Sequence, residues 1–116
     1  MLNFESYDSG EVLVFTVEES GYQVGERQSS NREWLYNVVS NRPAPLFALD
    51  LSEITYLSSA DFGILISLKR RVDARKGQLV LFQVSSYVVD TLNTMRLGSF
   101  FTIAPDLGAA LSTLEG

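Results

Sequence analysis

"LFALDLSEITYLSSADFGILISLKRRVDARKGQLVLFQV", residues 46–84, decides the fold. Leu46 to Ser52 is short and almost wholly apolar, the signature of a strand covered on both faces. Phe62, Leu65, Leu68 and Val72 then recur with helical spacing, so Ala60 to about Lys76 is expected to be a helix. Ser58 or Ser59 would cap its start and Gly77 would stop it. Gln78 to Val84 is again apolar and strand-like. Strand, helix, strand over so few residues is the unit from which parallel sheets are built.

Working outward, Pro43 and Pro45 end a helix expected over 30–42, where Trp34, Leu35, Val38 and Val39 share one face and Ser30 and Glu33 have capping-box spacing. The polar stretch 19–29, with two glycines, reads as a loop. Before it, two strands flank the turn Asp8-Ser9-Gly10, the second of them rich in β-branched residues from Val12 to Val17. Downstream, Ser85 or Ser86 caps a helix over 86–96 bearing Val88, Val89 and Leu92, and Gly98 closes it. Phe100 to Ala104 is expected as a short strand and 106–114 as a terminal helix. The order β-β-α-β-α-β-α-β-α implies an open α/β fold: a mixed, mainly parallel sheet of four to five strands with about four helices.

The 116 residues are expected to form one domain over 1–116, with 46% apolar residues to fill a core. Cysteine and histidine are both absent. A disulfide, a thiolate metal site and a Ser-His or Cys-His nucleophile pair are therefore excluded within this chain. No catalytic residue, metal or cofactor is expected. A net charge of −5 argues against binding nucleic-acid phosphates. The apolar runs Val12–Val17 and Phe62–Leu68 fall far short of the ~20 residues of a membrane helix, and "MLNFESYDSGE" is no secretion signal. A cytoplasmic protein without membrane insertion is expected.

The motifs resemble a known family. Asp50-Leu51-Ser52 at a strand end, Tyr56-Leu57 before Ser58 to Gly63, Gly77-Gln78-Leu79-Val80-Leu81, and Leu92 through Leu97-Gly98 to Phe101 are similar to the STAS domain pattern. STAS domains include the bacterial anti-sigma-factor antagonists, and the likeness covers roughly residues 46–104 without a gap. The resemblance implies a non-catalytic module that binds a protein partner, a serine kinase also acting as an anti-sigma factor. In such members, phosphorylation of the second serine of D-S-S-G-L-G breaks binding and a phosphatase restores it. The added charge of about −1.5 to −2 disrupts an interface built for a neutral hydroxyl. Carried over, the partner-binding residues are Leu57, Ser58, Ser59, Ala60, Asp61, Phe62 and Gly63.

The departures from that motif carry the information. The motif's acid falls on Ser58, its first serine on Ser59, its phosphorylated serine on Ala60 and its first glycine on Asp61. Ser59 and Ser58 are left as the candidate phospho-acceptors, beside an acid that opposes further negative charge. Asp61 has two readings, a first-turn acid complementing the helix dipole or a partial imitation of a phosphorylated site. Lys69, Arg70, Arg71, Arg75 and Lys76 read as the cationic end of a solvated helix. Asp50 is the one acid placed where a catalytic one could stand, and it equally fits a strand-end turn. Two rivals to partner switching remain: a structural STAS subunit of a larger assembly, such as a stress-signalling complex or lipid-transport machine, and a small-ligand or nucleotide-binding sensor.

Overall fold

The structure, a computed structural model, describes residues 2–19 and 32–115. Strands β1 (Leu2–Ser9) and β2 (Val12–Glu19) form an antiparallel hairpin, and Gly10 at its tip adopts φ 63°, which glycine does without steric cost. Helix α1 (Arg32–Ser40), β3 (Leu46–Asp50), α2 (Ser59–Ala74), β4 (Gln78–Phe82), α3 (Ser86–Thr94), β5 (Thr102–Ala104) and α4 (Leu107–Glu115) follow. The sheet order is β1-β2-β3-β4-β5, with β2 to β5 parallel. This is the expected mixed, mainly parallel α/β architecture, with five strands.

Each crossover steps one strand in the same direction, and right-handed crossovers of that kind place their helices on one face. Alternation along the strands divides the core accordingly. Phe4, Leu13, Phe15, Phe47, Leu49, Leu79 and Leu81 pack with Leu35 of α1, Leu65 and Leu68 of α2, and Val88 and Leu92 of α3. Phe15 is the aromatic hub, edge-on to Phe4, Trp34 and Phe47 at centroid distances of 6.4, 6.1 and 4.9 Å. On the opposite face Val12, Val14, Ala48, Val80 and Phe82 pack with Ala110 and Leu114 of α4.

Several boundaries differ from expectation for local reasons. β4 ends at Phe82 because Gln83 takes φ 55°. Phe100 and Phe101 lie outside β5; their amides donate to the Leu97 carbonyl in a turn that still buries Phe101. The glycines after α2 and α3 are not the residues that reverse the chain. Lys76 (φ 60°) and Arg96 (φ 61°) occupy the left-handed positions. Gly77 N–H donates to Val72 O at 2.9 Å, and Leu97 N–H to Leu92 O at 2.7 Å, in the six-to-one pattern of a Schellman motif. Gly77 is required for proximity instead: a Cβ there would fall on the Pro45 carbonyl oxygen, which accepts the Gln78 N–H. The expected loop 19–29 and the Ser30 cap lie, apart from Glu19 at the end of β2, outside the described residues.

Candidate functional site

In a parallel sheet, the loops that leave the carboxyl ends of the strands share one edge, where ligands and partners of α/β folds gather. Residues 51–58 leave β3 there and lead into α2. Asp50 Oδ1 accepts the Ser52 N–H at 2.9 Å, closing a tight turn, so its carboxylate serves the strand end. Leu51, Ile54 and Leu57 are buried and pin the loop to the core, leaving Ser52, Glu53, Thr55 and Tyr56 exposed.

Ser58 is the cap of α2, and Ser59 is its first helical residue. Ser58 Oγ accepts the Asp61 N–H at 3.1 Å, and Asp61 Oδ2 accepts the Ser58 N–H at 3.0 Å. This reciprocal capping box satisfies two amides that a helix start leaves without partners. The sequence carries the signal for this box as Ser58-x-x-Asp61, an acid three residues after a capping serine, beside the Ser30 and Glu33 spacing. Asp61 is only 5% exposed and turns back onto the backbone. Its carboxylate is therefore not displayed as an imitation of a surface phosphate.

The seven candidate residues are contiguous but face different ways. Leu57 and Phe62 are buried in the core with Asp61 beside them, and Ser58 is half-buried. Ser59, Ala60 and Gly63 are exposed on the first turns of α2. The Ser59 hydroxyl makes no hydrogen bond among the described residues, whereas the Ser58 hydroxyl is occupied by the cap. Just beyond this turn lie the exposed rings of Tyr56 and of Tyr87 in the first turn of α3, with centroids 6.2 Å apart. Ser85 caps α3 by accepting the Val88 N–H at 3.2 Å.

The cations of α2 stand further along the helix. Lys69 Nζ pairs with Asp73 at 2.6 Å and lies 5.3 Å from the Phe100 ring centroid. The Arg71 guanidinium stacks 3.9 Å from the ring of Tyr36, and Arg75 Nε donates to Arg42 O at 3.0 Å. These contacts tie α2 to its neighbours and to the loop after α1. Among the described residues no cluster of three or more acidic side chains could hold a metal ion, and no helix is long and apolar enough to cross a membrane.

The STAS domain family model matches residues 4–110. A STAS anti-sigma-factor antagonist domain protein from Planctomyces limnophilus superposes with a TM-score of 0.79 at 15% identity, covering 98% of this chain and 99% of that one. A serine-to-glutamate variant of RsbS from Moorella thermoacetica gives 0.80 at 19% identity, covering 97% and 94%. The Bacillus cell fate determinant SpoIIAA in its phosphorylated form gives 0.63 at 16%, covering 95% and 98%. At these identities the likeness is one of fold. No curated protein matches the chain.

Proposed function

The chain belongs to the STAS domain family, and from that premise we propose that it is a non-catalytic protein–protein contact module resembling the anti-sigma-factor antagonists. It acts as a single domain over 1–116 in the cytoplasm of a bacterium, in a partner-switching pathway, with an altered phosphorylation motif. Its partner is a serine kinase or anti-sigma factor, bound over the first turns of α2. The observation that carries this reading is the exposed set of small side chains Ser59, Ala60 and Gly63, held over a half-buried, hydrogen-bonded capping box. Small side chains on a fixed turn let a partner approach the backbone closely, and a pre-set surface loses little entropy on binding.

A second reading, a structural subunit of a larger assembly, is favoured by one feature. Ala60 stands where switching members carry the phosphorylated hydroxyl, and a methyl group cannot accept a phosphoryl group. Affinity capture from the native cell followed by quantitative mass spectrometry separates the readings. A kinase or anti-sigma factor supports switching, and a permease or oligomeric signalling complex supports the structural role. A small molecule retained without any protein would turn the account toward a sensor.

A further inference from the structure

Resting on the reading that this edge docks a protein, we propose that Tyr56 and Tyr87 are its aromatic anchor and that the docked surface is basic and arginine-bearing. The two rings are 54% and 56% exposed, although 6.2 Å apart and inclined at 39° to each other. Large aromatic side chains with few rotatable bonds provide much contact area at small entropic cost, and they are over-represented among residues that dominate binding.

The surroundings of the pair specify the charge of its partner. Between Pro43 and Leu68, and again between Gly77 and Met95, the sequence holds no lysine or arginine. The exposed charges of these segments are Glu53, three residues before Tyr56, and Asp90, one helical turn after Tyr87. The nearest cation along α2 is Lys69, about 15 Å from Ser59 at 1.5 Å per residue, and it is already paired with Asp73. Elsewhere the molecule completes the same chemistry internally, with Arg71 over Tyr36 at 3.9 Å. Among the described residues no cation stacks on Tyr56 or Tyr87; Glu53 and Asp90 stand close to the rings in sequence, and the matching cation is assigned to the docked molecule. An apolar partner would strip water from Glu53 and Asp90 without replacing it, and a nucleic acid would be repelled. A guanidinium stacks on tyrosine and forks onto a carboxylate, which an ammonium does less well.

The test is an amide NMR titration of the whole protein with a short glycine-serine peptide bearing three arginines, beside lysine and glutamate counterparts. The arginine peptide should produce saturable shifts at Tyr56, Ser59 and Tyr87 that vanish at high salt, with the lysine peptide weaker and the glutamate peptide silent. Tyr56→Ser with Tyr87→Ser should weaken binding about tenfold and leave the remaining spectrum unchanged, because both rings are exposed. Glu53→Lys with Asp90→Lys should weaken it further, to the point of abolishing it. Shifts centred elsewhere, shifts indifferent to the tyrosines, or equal binding of the glutamate peptide would overturn the proposal. Shifts at these residues with protein concentration alone would replace the foreign partner by a second copy and overturn it too. A captured kinase indifferent to the tyrosines would defeat this inference and spare the proposed function. Peptide binding here without any captured protein would do the reverse.

Discussion

Ser58 and Asp61 each accept the other's backbone amide, so either side chain removed alone leaves one amide in or near the core without its partner. Ser58→Ala should cost about 1 kcal/mol of stability in urea unfolding. The two single losses should exceed the loss of the Ser58→Ala, Asp61→Ala double variant by about 0.5 kcal/mol or more, since the contacts form one reciprocal unit. Negligible losses in both single variants would mean that the box is not formed in solution, and strict additivity that its two bonds act independently. Two positions on from the cap, at Ala60, chemistry rather than stability is at stake. Ala60→Ser should gain phosphorylation by a kinase that reads the family motif while the parent stays largely unmodified, as read by intact mass. The obstacle at Ser59 is not a hydroxyl already bonded to the backbone, because that role belongs to Ser58. It is displacement: phosphoryl transfer can lose on the order of a hundredfold for a shift of about 1 Å. Rapid, complete modification of the parent at Ser59 would place it among the ordinary switching members.

At the scale of elements, the ends of α2 show what a sequence can and cannot disclose. Its apolar rhythm, Phe62, Leu65, Leu68 and Val72, was legible because burial imposes a period, and all four are buried. The glycine after it was legible as a stop but not for its reason. The left-handed turn can be taken by Lys76 at a modest cost, whereas the space beside Pro45 admits no side chain. Lys76→Gly should therefore raise stability by up to about 1 kcal/mol, less the entropy glycine loses on folding. Gly77→Ala should lower it by about 1–3 kcal/mol by pushing β3 and β4 apart where they begin. Thermal melts of the two variants decide between proximity and dihedral: equal losses would return the left-handed role to Gly77. Phe100 and Phe101 misled in the opposite sense. Adjacent aromatics have strand propensity, but a turn anchored on Leu97 buries Phe101 without a ladder. Local preference cannot reveal such a tertiary override.

On the scale of the whole molecule, alternation of strand and helix was enough to foresee a mixed, mainly parallel sheet with helices packed on it, while the placing of α4 alone on the second face came only with the structure. The proposed site was legible only in part. Motif spacing singles out residues 57–63 as candidates, yet spacing does not tell which side chains reach solvent. Burial divides them, with Leu57, Asp61 and Phe62 building the platform and Ser59, Ala60 and Gly63 forming its surface. Tyr56 and Tyr87 are far apart in sequence, and only the fold brings their rings together. The claim that the exposed turn of α2 is where this protein meets its partner is tested most directly by comparing capture yields from the native cell. Parent protein, Ala60→Arg and Ser112→Arg would serve as baits, since residues 60 and 112 are both exposed and Ser112 lies on α4 across the sheet. The account predicts that Ala60→Arg loses the captured partner at least about tenfold, as expected for steric and charge mismatch at a docked turn, while Ser112→Arg retains it. Equal capture by all three baits would contradict it.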